Sequence, residues 1–344
     1  MPEYIWSLKD LHDVKKNGYK VFTCFSCGGG SSMGYKLAGF EVVGNCEIDD
    51  KINAMYVKNH HPKYNFKMGV QDFVKLKDLP EELFDLDVLD GSPPCSTFSL
   101  AGDREKNWGK EKKFREGQAK QVLDDLFFEF IKVADRLKPK VVVAENVKGM
   151  IVGNAKGYVN MIVKKFDEAG YKTQLFLLNS AKMGVPQKRE RVFFICTRKD
   201  LNLPKINLVF NEKPILYGEY KDENYKALNK DTTTYRRWKR RAECDDSVGD
   251  TVKRTEGGKI SGFTTPYVKD HKTPSTLTAG TTPIRFDVPG YMSDRDILIT
   301  QSFPVDYDMN GQQAQYVCGM SVPPIMMKKI AEQVKLQLLD KVAK

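Results

Sequence analysis

Lys20-Val21-Phe22-Thr23-Cys24-Phe25-Ser26-Cys27-Gly28-Gly29-Gly30 is the stretch on which the fold turns. An apolar run of strand length passes into a serine, a cysteine and three glycines. Glycine lets the backbone turn sharply and approach a ligand closely. Ser31 to Leu37 then reads as a helix, and Glu41-Val42-Val43-Gly44-Asn45-Cys46 as a second strand. A strand, a glycine loop, a helix and a strand make the opening unit of a doubly wound sheet.

The rhythm continues along the chain. Leu86 to Leu89 reads as a strand, and Leu126 to Leu137 carries apolar residues at helical spacing. Val141-Val142-Val143-Ala144 is a β-branched strand after Lys138-Pro139. Val159 to Ala169 reads as a helix, and Thr173 to Leu178 and Arg191 to Thr197 as strands. The expected fold is α/β, a doubly wound, Rossmann-like sheet. From about Asn202 to about Thr273 the texture becomes polar, rich in Lys, Asn, Thr and Gly, and it contains Tyr235-Arg236-Arg237-Trp238-Lys239-Arg240-Arg241. This stretch reads as a separate small domain or as a disordered insertion. A last helix, about Pro324 to Leu339, should return to the large domain. The expected division is a large domain over 1–200, a small domain over 201–273 and a return segment over 274–344.

Composition sets the outer bounds. The 344 residues carry a formal net charge of +10 and a pI near 9.0. That suits a polyanionic partner, and equally a merely basic soluble protein. Seven cysteines lie scattered without a paired framework, which points to a reducing cytoplasm. Cys24-x-x-Cys27 lacks a second pair to complete a zinc site, so no metal is expected. No apolar core follows Met1-Pro2-Glu3-Tyr4, and no segment reaches about 18 apolar residues, so neither secretion nor a membrane is expected.

The chemistry-bearing stretch is Gly91-Ser92-Pro93-Pro94-Cys95-Ser96-Thr97-Phe98-Ser99. Two prolines stop the preceding strand and present Cys95 at its carboxyl end, where open α/β sheets bind ligands. Glu145-Asn146-Val147 and Gln187-Lys188-Arg189-Glu190-Arg191 follow. A thiol, a carboxylate and two guanidiniums, each after a strand-like run, can attack and polarise an electron-poor ring. The plainer readings are a buried apolar cysteine, a structural cap and a solvated charge run. After the glycine loop, Glu47 is placed to grip ribose hydroxyls. Asp72 is suited to accept from an adenine amino group, with Phe25 and Phe73 packing on the ring. These features leave a dinucleotide and other nucleotide-like ligands open.

Three motifs in this order, the Pro-Pro-Cys, Glu-Asn-Val and Gln-Lys-Arg-Glu-Arg blocks, resemble the cytosine-5 DNA methyltransferase family of bacterial or phage type. The likeness runs from roughly Tyr19 to Val334. Phe25-Ser26-Cys27-Gly28-Gly29-Gly30 looks like its first cofactor loop, and Gly319-Met320-Ser321-Val322-Pro323-Pro324 like its last block. The resemblance implies S-adenosyl-L-methionine as cofactor, contacted by Phe25, Ser26, Gly28, Gly29, Gly30, Glu47, Ile48, Asp72, Phe73, Pro94, Leu126, Ser321 and Val322. It implies that Cys95, as thiolate, attacks carbon 6 of a cytosine flipped out of double-stranded DNA. Glu145 would hydrogen-bond the ring nitrogen and exocyclic amine, Arg191 would hold the carbonyl oxygen, and Arg189 would support the loop or the adduct. Both arginines would lower the pKa of Cys95. The small domain would recognise the target, with Ser99, Arg236, Arg237, Trp238 and Arg240 as DNA contacts. A monomer working beside a restriction endonuclease in the cytoplasm, associated with the nucleoid, completes the expectation.

The chain also departs from the family. Thr23 stands where an acidic residue usually ends the first strand, Cys27 replaces a glycine, and Met320 replaces an asparagine. Asp294-Arg295-Asp296-Ile297 matches its block approximately. Three alternatives stay in view. An RNA cytosine methyltransferase of the tRNA branch typically carries Cys-Phe-Thr where this chain has Gly262-Phe263-Thr264. A silent nucleic-acid-binding relative usually loses the nucleophile or the carboxylate. A dinucleotide oxidoreductase would leave Cys95, Glu145 and the arginines without roles.

Overall fold

The computed structural model describes residues 2–94, 126–152, 156–257 and 264–342. The chain divides into two compact units. One comprises Lys9–Leu178, Glu190–Val209 and Met326–Lys344, and the other Met1–Leu8, Asn179–Arg189 and Phe210–Ile325.

The first unit is built on a seven-stranded sheet of β1 (Lys20–Cys24), β2 (Glu41–Cys46), β3 (Tyr64–Phe66), β4 (Val88–Gly91), β5 (Val141–Val147), β6 (Tyr171–Asn179) and β7 (Glu190–Arg198). Their order is β3-β2-β1-β4-β5-β7-β6. The first five strands pair in parallel, and β7 runs antiparallel to β5. A single 3-10 turn, Ser180–Lys182, marks the short link from β6 to β7, too short for the crossover a parallel pair needs. The helices are α1 (Gly30–Leu37), α2 (Asp50–His60), α3 (Val70–Phe73), α4 (Leu126–Leu137) and α5 (Lys156–Glu168). The inner strands are buried along nearly their whole length, as sheets covered on both faces require. Phe22, Leu89, Phe130, Val142 and Phe194 belong to this core.

The expected doubly wound α/β sheet is thus present, with each expected strand and helix between Lys20 and Thr197 found within a few residues. The differences are informative. β4 runs on to Gly91 instead of ending at Leu89, because Asp90 is buried inside it. The segment α2-β3-α3 adds to the expected elements, and Asp49 marks its start by accepting from the amides of Lys51 and Ile52 as an N-cap. The chain winds outward from β1 to β3 on one side and from β4 to β5 on the other. The switch point therefore lies between the carboxyl ends of β1 and β4, where such sheets take their ligands.

The second unit holds a small sheet of β8 (Lys226–Ala227), β9 (Tyr267–Val268), β10 (Ile284–Arg285) and β11 (Gly290–Tyr291), in the order β8-β11-β10-β9. With it are α6 (Thr233–Lys239), α7 (Val248–Thr255), α8 (Asp294–Thr300) and α9 (Ala314–Met320). Thr232, Ser247 and Ser293 cap α6, α7 and α8 by accepting backbone amides. Leu228, Trp238, Tyr267 and Ile284 form its own small core, so this polar stretch is ordered in its described residues. The last helix, α10 (Pro324–Gln337), starts on proline, which suits a first helical position.

Candidate functional site

The loop after β1 is folded tightly. Phe25, Cys27 and Gly29 have φ of 55°, 44° and 70°, in the left-handed region. Gly29 has to be glycine on a second ground: a Cβ there would lie 2.0 Å from Nε2 of His60. Glu47, at the end of β2, holds the loop. Its Oε2 accepts the Cys27 amide at 2.9 Å and its Oε1 the Asp49 amide at 3.0 Å. Burial raises the Glu47 carboxyl, and those amides pull it back. Asn45 donates to the buried Ser26 hydroxyl at 3.2 Å. Gly28, Gly29, Gly30 and Leu126 are buried, while Ile48 and Pro94 are half-buried.

Asp72 projects from α3 and is exposed. Phe73 does not fit the role expected of it. Its ring is 1% exposed and stacks on Phe22 at 5.3 Å within the core, so it has no face to offer a ligand. Phe25, half-buried and 6.4 Å from the Phe130 ring, keeps that possibility. S-adenosylmethionine presents hydroxyl and amino donors. The acceptors Glu47 and Asp72 fit those groups, and so does Gln71 Oε1, buried and without a hydrogen-bond partner among the described residues.

The carboxyl end of β5 and the amino end of β7 carry the next feature. Antiparallel pairing sets Val147 opposite Arg191 and Glu145 opposite Phe193. Arg191 reaches back along the ladder, and its Nε lies 2.9 Å from Glu145 Oε1. The two side chains are 14% and 11% exposed, so the ion pair is largely out of water. Burial lowers the Arg191 pKa, and Glu145 opposes that shift. A desolvated pair of this kind gains from further hydrogen bonds to its remaining atoms. Asn146 has a separate role, since its Nδ2 donates to the Pro93 carbonyl at 3.1 Å. The end of β5 is thereby stapled to the proline turn, two residues before Cys95. Cys95 and Ser99 themselves lie outside the described residues.

Arg189 belongs to the second unit and is 2% exposed. Its guanidinium donates to the Leu277 carbonyl at 3.0 Å and to the Gly319 carbonyl at 2.8 Å. Gln187 adds to the clamp: its Oε1 accepts the Leu277 amide at 3.0 Å, and its Nε2 donates to Gln301 Oε1 at 2.6 Å. A Cβ on Gly319 would lie 2.4 Å from the Ala279 nitrogen, so close approach demands glycine there. Arg189 therefore braces the 276–279 segment. Ser321 and Val322 are buried in the same unit, and the Ser321 hydroxyl donates to the Val317 carbonyl at 2.8 Å.

The basic cluster on α6 divides by burial. Trp238 is 8% exposed, packs in the small core and donates its indole N–H to the Arg285 carbonyl at 2.9 Å. Its ring and its donor are both engaged inside the unit, contrary to the expected DNA contact. Arg241 lies over the Trp238 ring at 3.5 Å. Arg237 forms a two-point pair with Glu256 at 3.1 and 2.9 Å. Arg236 and Arg240 are exposed, although Arg240 also lies 3.9 Å from Glu256.

Comparison with known proteins gives a family and a fold. A family model described as C-5 cytosine-specific DNA methylase matches residues 19–336. The type II methyltransferase M.FnuDI of Fusobacterium nucleatum is 38% identical over 184 residues, 54% of this chain and 48% of that protein. M.NgoPII of Neisseria gonorrhoeae is 36% identical over 191 residues, 54% of this chain and 50% of its own length. The chain thus spans about half the length of these two relatives. M1.HphI of Haemophilus parahaemolyticus matches more fully, at 28% identity over 90% of this chain and 85% of that protein. Among solved structures, a DNA modification methyltransferase encoded within an E. coli prophage superposes with a TM-score of 0.67 at 21% identity, covering 94% of this chain and all of that one. Spodoptera frugiperda DNMT2 gives 0.64 at 18%, covering 92% and 100%. At these identities the superpositions speak for the fold.

Proposed function

Because the chain belongs to the C-5 cytosine-specific DNA methylase family, we propose that it transfers a methyl group from S-adenosylmethionine to carbon 5 of a cytosine flipped out of a specific double-stranded DNA sequence. The observation that carries this reading is the largely buried Glu145–Arg191 pair beside a proline turn that Asn146 holds in place.

The cofactor, when bound, supplies an electrophilic methyl group. Glu47, Asp72 and Gln71 would hold its hydroxyl and amino donors, with Phe25 against its ring. The chain's own residues carry the rest. Cys95, as thiolate, forms a bond to carbon 6, and the ring electrons move toward nitrogen 3 and carbon 5. Glu145 accepts from the exocyclic amine and supplies the proton that nitrogen 3 takes up. Arg191, oriented through its Nε contact, donates to the carbonyl oxygen. Carbon 5, now electron-rich, receives the methyl group. Its original hydrogen leaves as a proton to water, expulsion of the Cys95 thiolate restores the ring double bond, and nitrogen 3 returns its proton to Glu145. Burial of the pair keeps water from competing for the base edge and strengthens each contact.

The domain assignment follows the same reading. Residues 1–200 would carry catalysis and cofactor binding and 201–273 target recognition; of the expected return segment 274–344, the part up to Ile325 belongs to the second unit and the part from Met326 to the large one. Arg236 and Lys239 on α6 and Arg240 at its end are exposed cations available to DNA. The type II names of the relatives support a role beside a restriction endonuclease. No described helix is long and apolar enough to cross a membrane.

The test is methyl transfer from labelled S-adenosylmethionine to DNA or to tRNA, with bisulfite sequencing of DNA from cells expressing the protein. Label in DNA at one recurring sequence context is expected. Label in tRNA alone would move the protein to the RNA branch, and label in neither would end the enzymatic reading.

A further inference from the structure

Asp90 is a charged residue inside a strand whose four positions are all buried. It is itself 2% exposed. Its partner across the parallel β1–β4 pairing is Thr23, whose hydroxyl donates to Oδ2 at 3.0 Å. Tyr35 donates to Oδ1 at 3.3 Å, and the Ser31 hydroxyl bonds the same carboxylate. The positions of these partners matter. Thr23 lies two residues before Phe25, where the loop begins, and Ser31 follows Gly30, where the loop ends. Tyr35 is one turn further along α1. A single carboxylate therefore holds both ends of the loop, and it does so from the strand that runs on into Pro93-Pro94-Cys95.

Burial of a carboxyl is costly unless its hydrogen bonds offset the loss of water. Burial pushes Asp90 up to about 7, the hydroxyls of Thr23, Tyr35 and Ser31 pull the other way, and Glu145 on β5 pushes up again. Cys24 on β1 and Tyr56 on α2 also feel the charge. α1 has no acidic residue in its own first turn, so Asp90, once ionised above about pH 7, supplies negative charge at that helix end. Thr23 is also the position at which this chain departs from the acid expected at the end of the first strand.

We propose that Asp90 is a positioning residue for the cofactor loop: reaching over from β4, it fixes the spacing between the end of β1 and the start of α1 and so sets the backbone that receives S-adenosylmethionine. This rests on the reading of that loop as the S-adenosylmethionine site. The carboxylate comes from β4 where it would otherwise come from β1, and because Thr23 and Asp90 face each other in register it should be movable from one strand to the other.

Calorimetric titration with S-adenosylmethionine tests this on the native protein, Asp90→Asn, Asp90→Thr and the double variant Thr23→Asp/Asp90→Thr. Melting temperatures identify the folded variants, and Asp90→Asn carries the test should Asp90→Thr not fold. Above about pH 7, where Asp90 is ionised, both single variants should bind about tenfold to a hundredfold more weakly, as loss of hydrogen bonds to a charged group predicts. The double variant should return to within about threefold of native, a margin under 1 kcal/mol. In turnover assays, Asp90→Asn should raise KM for S-adenosylmethionine, leaving KM for DNA and kcat near native. Native-like titration of the single variants, or a folded double variant no better than Asp90→Thr, overturns the proposal. Failure of the native protein to bind would instead overturn the cofactor reading beneath it.

Discussion

Glu47 and Asp90, at the carboxyl end of the large sheet, and the acids of the second unit are held in opposite ways, while Glu145 at that same end pairs with Arg191. Glu47 and Asp90 are buried and raised, and they are satisfied by backbone amides and by hydroxyls. Asp245 is held well below the usual range by Arg254, with further bonds from the Ala242 amide and the Thr251 hydroxyl. Burial would raise Asp287, yet Arg285 and Lys221 bring it down to about 2. Asp296 is the exception, raised by burial while it completes the capping box of α8. Ion pairs hold a small domain with a modest core together. Carboxylates satisfied by neutral donors keep loop ends in register and stay sensitive to their surroundings, which is what a site requires.

The largest effect that can break this contrast lies at Glu145. Glu145→Gln should slow methyl transfer about 10²–10⁴-fold, as loss of a positioned proton donor predicts. Binding of S-adenosylmethionine should change little. Single-turnover rates beside calorimetric titration make the check, and a rate within a fewfold of native would remove Glu145 from the chemistry.

pH separates the two kinds of acid next. An unfolded aspartate titrates near about 4. Asp90, raised to about 7, keeps its proton in the native state where the unfolded chain has lost it. Its contribution to stability is therefore greatest at the acid end and is lost as pH rises through about 7. Asp245 acts in reverse: its contribution is present above about pH 4 and is lost as pH falls further. Asp90→Asn should flatten the fall in melting temperature from pH 4 to 7, and Asp245→Asn should lower it at pH 7 and lose that effect in stronger acid. Parallel melting curves for native protein and both variants would erase the distinction.

The smallest effects concern α6. Arg236→Ala and Arg240→Ala should each weaken binding to all DNA alike and lower the salt slope by about one unit if they meet phosphate. Relaxed choice at one base position, with a cost of about 1–3 kcal/mol, would make either a base reader. Arg237→Ala should do less, since its guanidinium already pairs with Glu256.

The sheet was legible because its strands are continuous apolar runs and its loops carry glycine or proline. Glu145 and Arg191 were legible as motif residues, and antiparallel pairing of β5 with β7 explains how a separation of 46 positions closes to 2.9 Å. The roles of Asp90, Asn146 and Gln187 were not legible, because their partners at Thr23, Pro93 and Leu277 lie far along the chain. A buried-strand pattern interrupted by one acid was the signal available for Asp90. Trp238 misled for a related reason. Its neighbours in sequence are basic, whereas its neighbours in space are Leu228, Tyr267 and Ile284.

A covalent route through Cys95, next to the frame that Asn146 and Pro93 form, should trap the protein on DNA carrying 5-fluorocytosine in the methylated sequence. Fluorine cannot leave as the ring proton does, so the adduct should persist. The native protein, given S-adenosylmethionine, should form a complex with that DNA that survives denaturing electrophoresis, and Cys95→Ala should bind the DNA without forming it. Methyl transfer by Cys95→Ala, or a stable adduct in that variant, would rule out Cys95 as the nucleophile.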